Sequence, residues 1–93
     1  MILREGERIL VKGSVTVDEI RKELRAGLTE IEGGASVVDL GELANADSTA
    51  IAMFLEWMRA SNRAGRRLSF VNIPRELESL IGLYGLNPVF AGQ

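Results

Sequence analysis

Apolar residues follow two different periods along this chain, and their order predicts alternating strands and helices. The segment 8–12 is short, has an aliphatic centre and ends at Gly13, which is typical of a strand. From residue 17 to residue 31, apolar side chains recur at steps of three and four, which predicts one apolar face of a helix. Thr16 and Glu19 have the spacing of a capping box at the start of that helix.

The rest of the chain continues this order. Residues 36–40 predict a buried strand, because their apolar side chains do not alternate with polar ones. The following residues predict a loop over 41–46, a helix over 48–64 and a strand over 68–73. A helix over 74–85 and a short edge strand over 88–90 complete the predicted elements. Such alternation builds βαβ units with right-handed crossovers. We therefore expect an α/β fold with a mixed, mostly parallel sheet of about four to five strands and three to four helices.

The length, the amino-acid composition and the net charge exclude several classes of function. The chain has 93 residues and a mass of 10.2 kDa, so we expect residues 1–93 to form a single domain. It has no cysteine and no histidine, which removes disulfides, thiolate chemistry, and the commonest general base and metal ligand. A net charge of −2 does not suggest a nucleic-acid partner. We expect a protein that is not an enzyme and carries no cofactor.

The chain shows neither a membrane span nor an export signal. No apolar run approaches the roughly 20 residues that cross a bilayer. The first residues include Arg4 and Glu5 and lack the apolar core of a signal peptide. We therefore expect a cytoplasmic protein that does not itself span a membrane.

The helix predicted over 48–64 carries two apolar stripes. Ile51, Phe54, Leu55 and Met58 form one, which is wide enough to cover a sheet. The second stripe lies beside it and contains Ala50, Met53, Trp57, Ser61 and Ala64. Two interpretations stay open. Met53 and Trp57 either pack on a neighbouring helix of the same domain, or are partly exposed and form the centre of a partner surface, where Trp is over-represented.

A polar corner, Asp47-Ser48-Thr49, precedes that helix. The free N–H groups and positive dipole end of a helix N-terminus favour an anionic group. Ser48 has two interpretations: it caps the helix through its hydroxyl, or it is a contact or phosphorylation site whose added charge would switch a binding surface.

Two clusters of charge carry weaker signals. The carboxylates Asp39, Glu42 and Asp47 lie near the end of the middle strand, but nothing in their spacing orders them around a cation, so no metal site is predicted. Arginines crowd the end of the central helix at positions 59, 63, 66 and 67. They complement the helix dipole or contact an acidic partner or lipid headgroups.

The strand at 36–40, the run Ala46-Asp47-Ser48-Thr49-Ala50 and the apolar helix after it resemble a STAS domain, which sulfate transporters and anti-sigma-factor antagonists share. The family pattern is a buried strand ending in Asp-Leu or Asp-Phe, a short loop, and Asp-Ser-Ser/Thr-Gly opening a helix. The resemblance continues through Gly65-Arg66-Arg67-Leu68, Pro74 and Leu83-Tyr84-Gly85-Leu86, and so covers nearly the whole chain.

Within that family, the run Ala52-Met53-Phe54-Leu55-Glu56-Trp57 is similar to stand-alone STAS subunits of Mla-type phospholipid ABC transporters. This resemblance implies a cytoplasmic subunit, peripheral at the inner membrane, that binds the ATPase subunit and through it the permease. It implies a supporting role in assembly and activity. The candidate contacts that it gives are Asp47, Ser48, Thr49, Ala50, Met53 and Trp57.

The second branch is the anti-sigma-factor antagonist. There the serine after the Asp is phosphorylated by a partner kinase, and Ser48 is the matching residue. This chain departs from that pattern at Ala50, where those proteins usually have Gly. An added methyl at this position is expected to crowd the kinase, so the transporter subunit ranks first and the antagonist second.

Overall fold

A computed structural model describes residues 1–15 and 17–91 of the chain. Strands and helices alternate through most of it, as the apolar periods predict. In chain order the elements are β1 (Ile2–Glu5), β2 (Arg8–Val11), β3 (Gly13–Ser14), α1 (Ile20–Glu32), β4 (Val37–Asp39), β5 (Leu43–Asn45), α2 (Ser48–Arg63), β6 (Ser69–Val71), α3 (Arg75–Leu83) and α4 (Asn87–Ala91).

The main sheet has the strand order β1-β2-β4-β6. The β1–β2 hairpin is antiparallel, and Gly6 takes a positive φ of 61° in its turn. The other pairings are parallel, with Val38 between Ile9 and Phe70. Because α1 joins β2 to β4 and α2 joins β4 to β6, both helices begin at the edge where the parallel strands end. The α/β fold with a mixed, mostly parallel sheet is confirmed.

One face of this sheet carries the core. Along β2, Ile9 and Val11 are buried, whereas Arg8 and Leu10 point to the opposite face and keep some exposure. The buried apolar side chains of the helices join Ile9 and Val11 in one cluster.

Helix α1 begins later than the sequence pattern predicts. Ile20, Leu24, Leu28 and Ile31 of its predicted apolar face do pack against the core, but the first three only in part. Residues 17–19 form a turn and the helix starts at Ile20. Val17 is 68% exposed, while the most buried positions are Glu23, Gly27 and Ile31. The carboxylate of Glu23 forms an ion pair with the amino group of Met1, at a distance of 3.1 Å. The predicted capping box rests on Thr16, which lies outside the described residues, and Glu19 makes no side-chain cap.

Two more expectations are wrong. Residues 43–45 are not loop but the strand β5, which pairs in parallel with β3; Val15 N donates to Asn45 O at 3.2 Å. The tail is helical rather than an edge strand. Phe90 on α4 is buried, and its ring centroid lies 5.2 Å from that of Phe70. The tail thus contacts the core through an aromatic side chain instead of backbone pairing.

Candidate partner-binding site

Asp47 rather than Ser48 caps the central helix. The Asp47 backbone is extended (φ −131°, ψ −164°), and its Oδ1 accepts a hydrogen bond from Thr49 N at 2.8 Å. The Asp47 carbonyl oxygen accepts from Ala50 N at 3.1 Å. Ser48 is therefore the first helical residue, and the interpretation of its hydroxyl as the cap is wrong.

The corner residues are accessible while the predicted anchors are not. Asp47 and Ser48 are exposed and Thr49 is half-buried. Ala50 and Trp57 are 0% exposed and Met53 is 2% exposed. The interpretation of Met53 and Trp57 as a partly exposed docking centre is therefore wrong, and the alternative of packing within the domain is what the structure shows.

Helix α1 explains this burial. A Cβ on Gly27 would lie 2.1 Å from Trp57 Cζ2, so the indole ring rests directly on the backbone of α1. Trp57 Nε1 donates to Leu24 O at 3.0 Å. On its other side, α2 packs Phe54 against Phe70 at a centroid distance of 5.4 Å. The wide apolar arc of α2 serves two neighbours inside the domain, α1 and the sheet.

A hollow of about 320 Å³ lies beside the corner. It is lined by Ser14, Val15, Val17, Asn45, Ala46, Asp47 and Glu76. Asn45 Nδ2 donates to Ser14 Oγ at 3.0 Å, which joins β5 to β3 below the hollow. The sequence analysis missed Val17, Asn45 and Glu76, because they meet only through the β3–β5 pairing and the packing of α3. Two carboxylates, those of Asp47 and Glu76, make this hollow acidic.

The family model described as "Mlab, STAS domain" matches residues 3–90. The chain belongs to this STAS family. Among curated proteins, a sequence search finds no match.

Solved structures share this STAS fold. A chain of the Acinetobacter MlaFEDB complex in an ATP-bound conformation (Vtrans1) superposes with a TM-score of 0.79 at 23% identity, over 90% of each chain. A second ATP-bound conformation (Vtrans2) gives a TM-score of 0.77 at 25% identity, over 87% of each chain. The anti-sigma-factor antagonist SpoIIAA in its unphosphorylated form gives 0.74 at 18% identity, covering 95% of this chain and 82% of SpoIIAA. The recognition of a STAS domain similar to MlaB is confirmed.

The other two carboxylates of the predicted cluster, Asp39 and Glu42, have structural partners. Asp39 accepts hydrogen bonds from Gly41 N at 2.9 Å and Asn72 Nδ2 at 3.1 Å, and pairs with Arg8 at 2.8 Å. The Gly41 and Asn72 bonds, with a smaller effect of Arg8, hold the pKa of Asp39 below its usual value against the opposing effect of burial. Glu42 pairs with Lys12 at 3.4 Å. Within residues 1–15 and 17–91, no group of three His, Cys, Asp or Glu is placed to hold a metal ion.

Two of the four arginines near the end of α2, Arg59 and Arg66, make local contacts. Arg66 Nη2 donates to Ile31 O at 2.6 Å, which satisfies a carbonyl at the end of α1. Arg59 pairs with Glu56 on its own helix. Arg63 lies in the last turn of α2, where a cation complements the helix dipole.

The Ser48 hydroxyl at this corner is exposed. Among the described side chains, none forms a hydrogen bond with that hydroxyl; Asp47, the preceding residue, accepts from Thr49 N instead. The part of the chain that the structure describes also has no helix long and apolar enough to cross a membrane.

Proposed function

We propose that this STAS domain is a non-catalytic subunit that binds the ATPase subunit of a phospholipid-transporting ABC complex. Through the ATPase it joins the permease, so it lies in the cytoplasm at the inner membrane. One observation carries the proposal: a chain of the MlaFEDB complex superposes over 90% of both chains. The family model supports the same branch.

The contact surface in this proposal is the exposed corner rather than the apolar stripe. Asp47, Ser48 and Thr49 form its centre, and Val17 and Glu76 lie at the rim of the adjoining hollow. Ala50, Met53 and Trp57 stay in the core and hold α2 in place. A rigid corner binds with little loss of conformational entropy, which favours affinity.

The regulatory effect in this proposal is a shift in population. Binding at the corner favours one conformation of the ATPase only to the extent that the domain binds that conformation more tightly. No residue of the domain has to make or break a covalent bond, in agreement with a chain that lacks histidine and cysteine.

Affinity purification of the tagged protein from its host tests the proposal. We expect the wild-type domain to co-purify with an ABC ATPase and permease. Ser48→Arg places a bulky cation at the centre of the contact, and we expect it to recover at least about tenfold less ATPase. Ser79→Arg, on the exposed face of α3, is the matched control and is expected to recover the wild-type amount. Equal recovery with both variants, or no ATPase with wild type, contradicts the proposal.

A second candidate function, the phosphorylation-switched antagonist, rests on the likeness to SpoIIAA and on the exposed Ser48 hydroxyl. Ala50 no longer argues against it. The Ala50 methyl was expected to crowd the kinase, but it is 0% exposed and therefore presents no surface to a kinase at Ser48. In this case a sigma-regulating kinase would co-purify instead, and with ATP it would transfer one phosphoryl group to Ser48. Ser48→Ala would abolish that mass increase.

A further inference from the structure

A cluster of cations lies on α1. Arg21, Lys22 and Arg25 occupy the first two turns and are exposed. Among the described residues, the cationic groups that form ion pairs with carboxylates are those of Met1, Arg4, Arg8, Lys12 and Arg59. The three cations of α1 have no such pair within that part of the chain.

The position of these cations opposes the stability of the helix. Arg21 and Arg25 are four residues apart, so their like charges lie on one face and repel each other. Arg21 and Lys22 also lie in the first turn, next to the positive end of the helix dipole. The rest of the chain has eight basic and thirteen acidic residues, so the cluster does not reflect an overall excess of basic residues. Charges that destabilise their own helix and have no ion-pair partner among the described residues are typical of a functional surface.

The surface around these cations contains both basic and apolar side chains. A hollow of about 580 Å³ is lined by the three cations together with Ala26 and Thr29. A second hollow, of about 380 Å³, is lined by Arg21, Leu24, Arg25 and Leu28. Leu24 and Leu28 are half-buried because they pack against the core, and they leave part of their apolar surface exposed beside the two arginines.

We propose that this basic face, defined as Arg21, Lys22, Leu24, Arg25 and Leu28, docks an acidic amphipathic helix of a second protein. Carboxylates of that helix contact the cations, and its apolar side chains contact the two leucines. A protein helix is favoured over an anionic membrane as the occupant, because the acidic remainder of the chain repels such a membrane at longer range. The basic face shares no residue with the proposed contact around Ser48, so the two proposals are tested by different variants.

A titration of the isotope-labelled protein, followed by NMR, tests this assignment. The probe is a synthetic amphipathic helical peptide with glutamates four residues apart and leucines on the adjacent face. We expect saturable chemical-shift changes centred on α1. The double variant Arg21→Gln/Arg25→Gln is expected to weaken binding by about tenfold or more. It is also expected to raise the midpoint of thermal unfolding, because the repulsion is removed, so weaker binding is not a folding defect.

Two controls separate this face from general charge effects. The double variant Arg63→Gln/Arg67→Gln removes two exposed arginines elsewhere and is expected to bind the peptide like wild type. A peptide with glutamine in place of glutamate is expected not to bind. The proposal is overturned if the control variant weakens binding equally, if no saturable shifts occur, or if removal of Arg21 and Arg25 lowers the unfolding midpoint. Arginine-dependent binding to phosphatidylglycerol vesicles without peptide binding also overturns it, and assigns the face to lipid.

Discussion

The contact between Trp57 and the backbone of α1 joins the two long helices of this STAS domain. The indole is fully buried, donates to Leu24 O and lies against Gly27. The same side chain that the sequence offers as an interface anchor therefore holds the domain together.

Trp57→Ala is expected to lower the free energy of unfolding by about 3–5 kcal/mol, because it removes a large buried ring and leaves a cavity. Trp57→Phe keeps a ring but loses the bond to Leu24, so a smaller loss is expected. Leu83→Ala, at a residue that is 78% exposed, is the control and should stay within about 0.5 kcal/mol of wild type. Urea unfolding measures all three, and a mild effect of Trp57→Ala would show that the ring is not a core residue.

Gly27→Ala is expected to destabilise the domain although alanine favours helix by about 1 kcal/mol. The added methyl would overlap the Trp57 ring, and forcing apart a packed core costs about 1–3 kcal/mol. Gly82→Ala in α3 is the matched control, since a Cβ there meets only the flexible end of Asn87 at 3.3 Å. We expect that variant to be at least as stable as wild type. Additivity of Gly27→Ala with Trp57→Phe would contradict the proposed overlap.

Asp39 is expected to make folding stability depend on pH in the acid range. Its pKa in the folded state is lowered from the ordinary 3.8, so the charged form is favoured by folding. That contribution is complete above the ordinary pKa and is lost as pH falls through the lowered value. Asp39→Asn should therefore be less stable than wild type at neutral pH, and the difference should shrink below about pH 4. A difference that stays constant down to low pH would exclude this linkage.

At the scale of elements, the start of α2 combines a structural cap with an exposed contact residue. Asp47→Ala removes the bond to Thr49 N and is expected to lower the free energy of unfolding by about 1 kcal/mol. Asp47→Asn keeps an acceptor and should lose less. Ser48→Ala is the control and should leave stability nearly unchanged, because Ser48 is exposed and does not cap the helix. Equal losses for Asp47→Ala and Ser48→Ala in chemical unfolding would show that the hydroxyl shares the capping role.

The element boundaries show where sequence patterns reach their limit. The extent of α2 follows its period closely, because a long apolar stripe and an Asp cap define it locally. The pattern misplaces the start of α1, since Val17 matches the apolar spacing but lies in a turn. Strand β5 is too short to show a period and exists only through its pairing with β3. The tail has both aromatic and β-branched residues, and only the packing of Phe90 on Phe70 selects a helix.

At the scale of the whole molecule, the sequence predicts one domain over residues 1–93, and the buried residues of its sheet and helices lie in one cluster. We expect cooperative two-state unfolding in urea. The chain has one tryptophan, at the junction of α1 and α2, so its fluorescence reports the packing of both helices. Fluorescence and far-ultraviolet circular dichroism should give the same midpoint. Separate midpoints would show that part of the chain unfolds independently of the core.

The sequence by itself determined the α/β class, most of the main-sheet strands, the long helix and the STAS family, because these depend on local periods and on a nearly continuous run of motif residues. It also placed Ser48 at the corner before the central helix. Only the tertiary structure decided which apolar stripe faces water. A helical period shows that Met53 and Trp57 share a face, but the burial of Trp57 depends on Gly27, a residue without a side chain thirty positions earlier in the chain. The hollow beside Asp47 likewise forms from segments that are distant in sequence, so no local pattern predicts it.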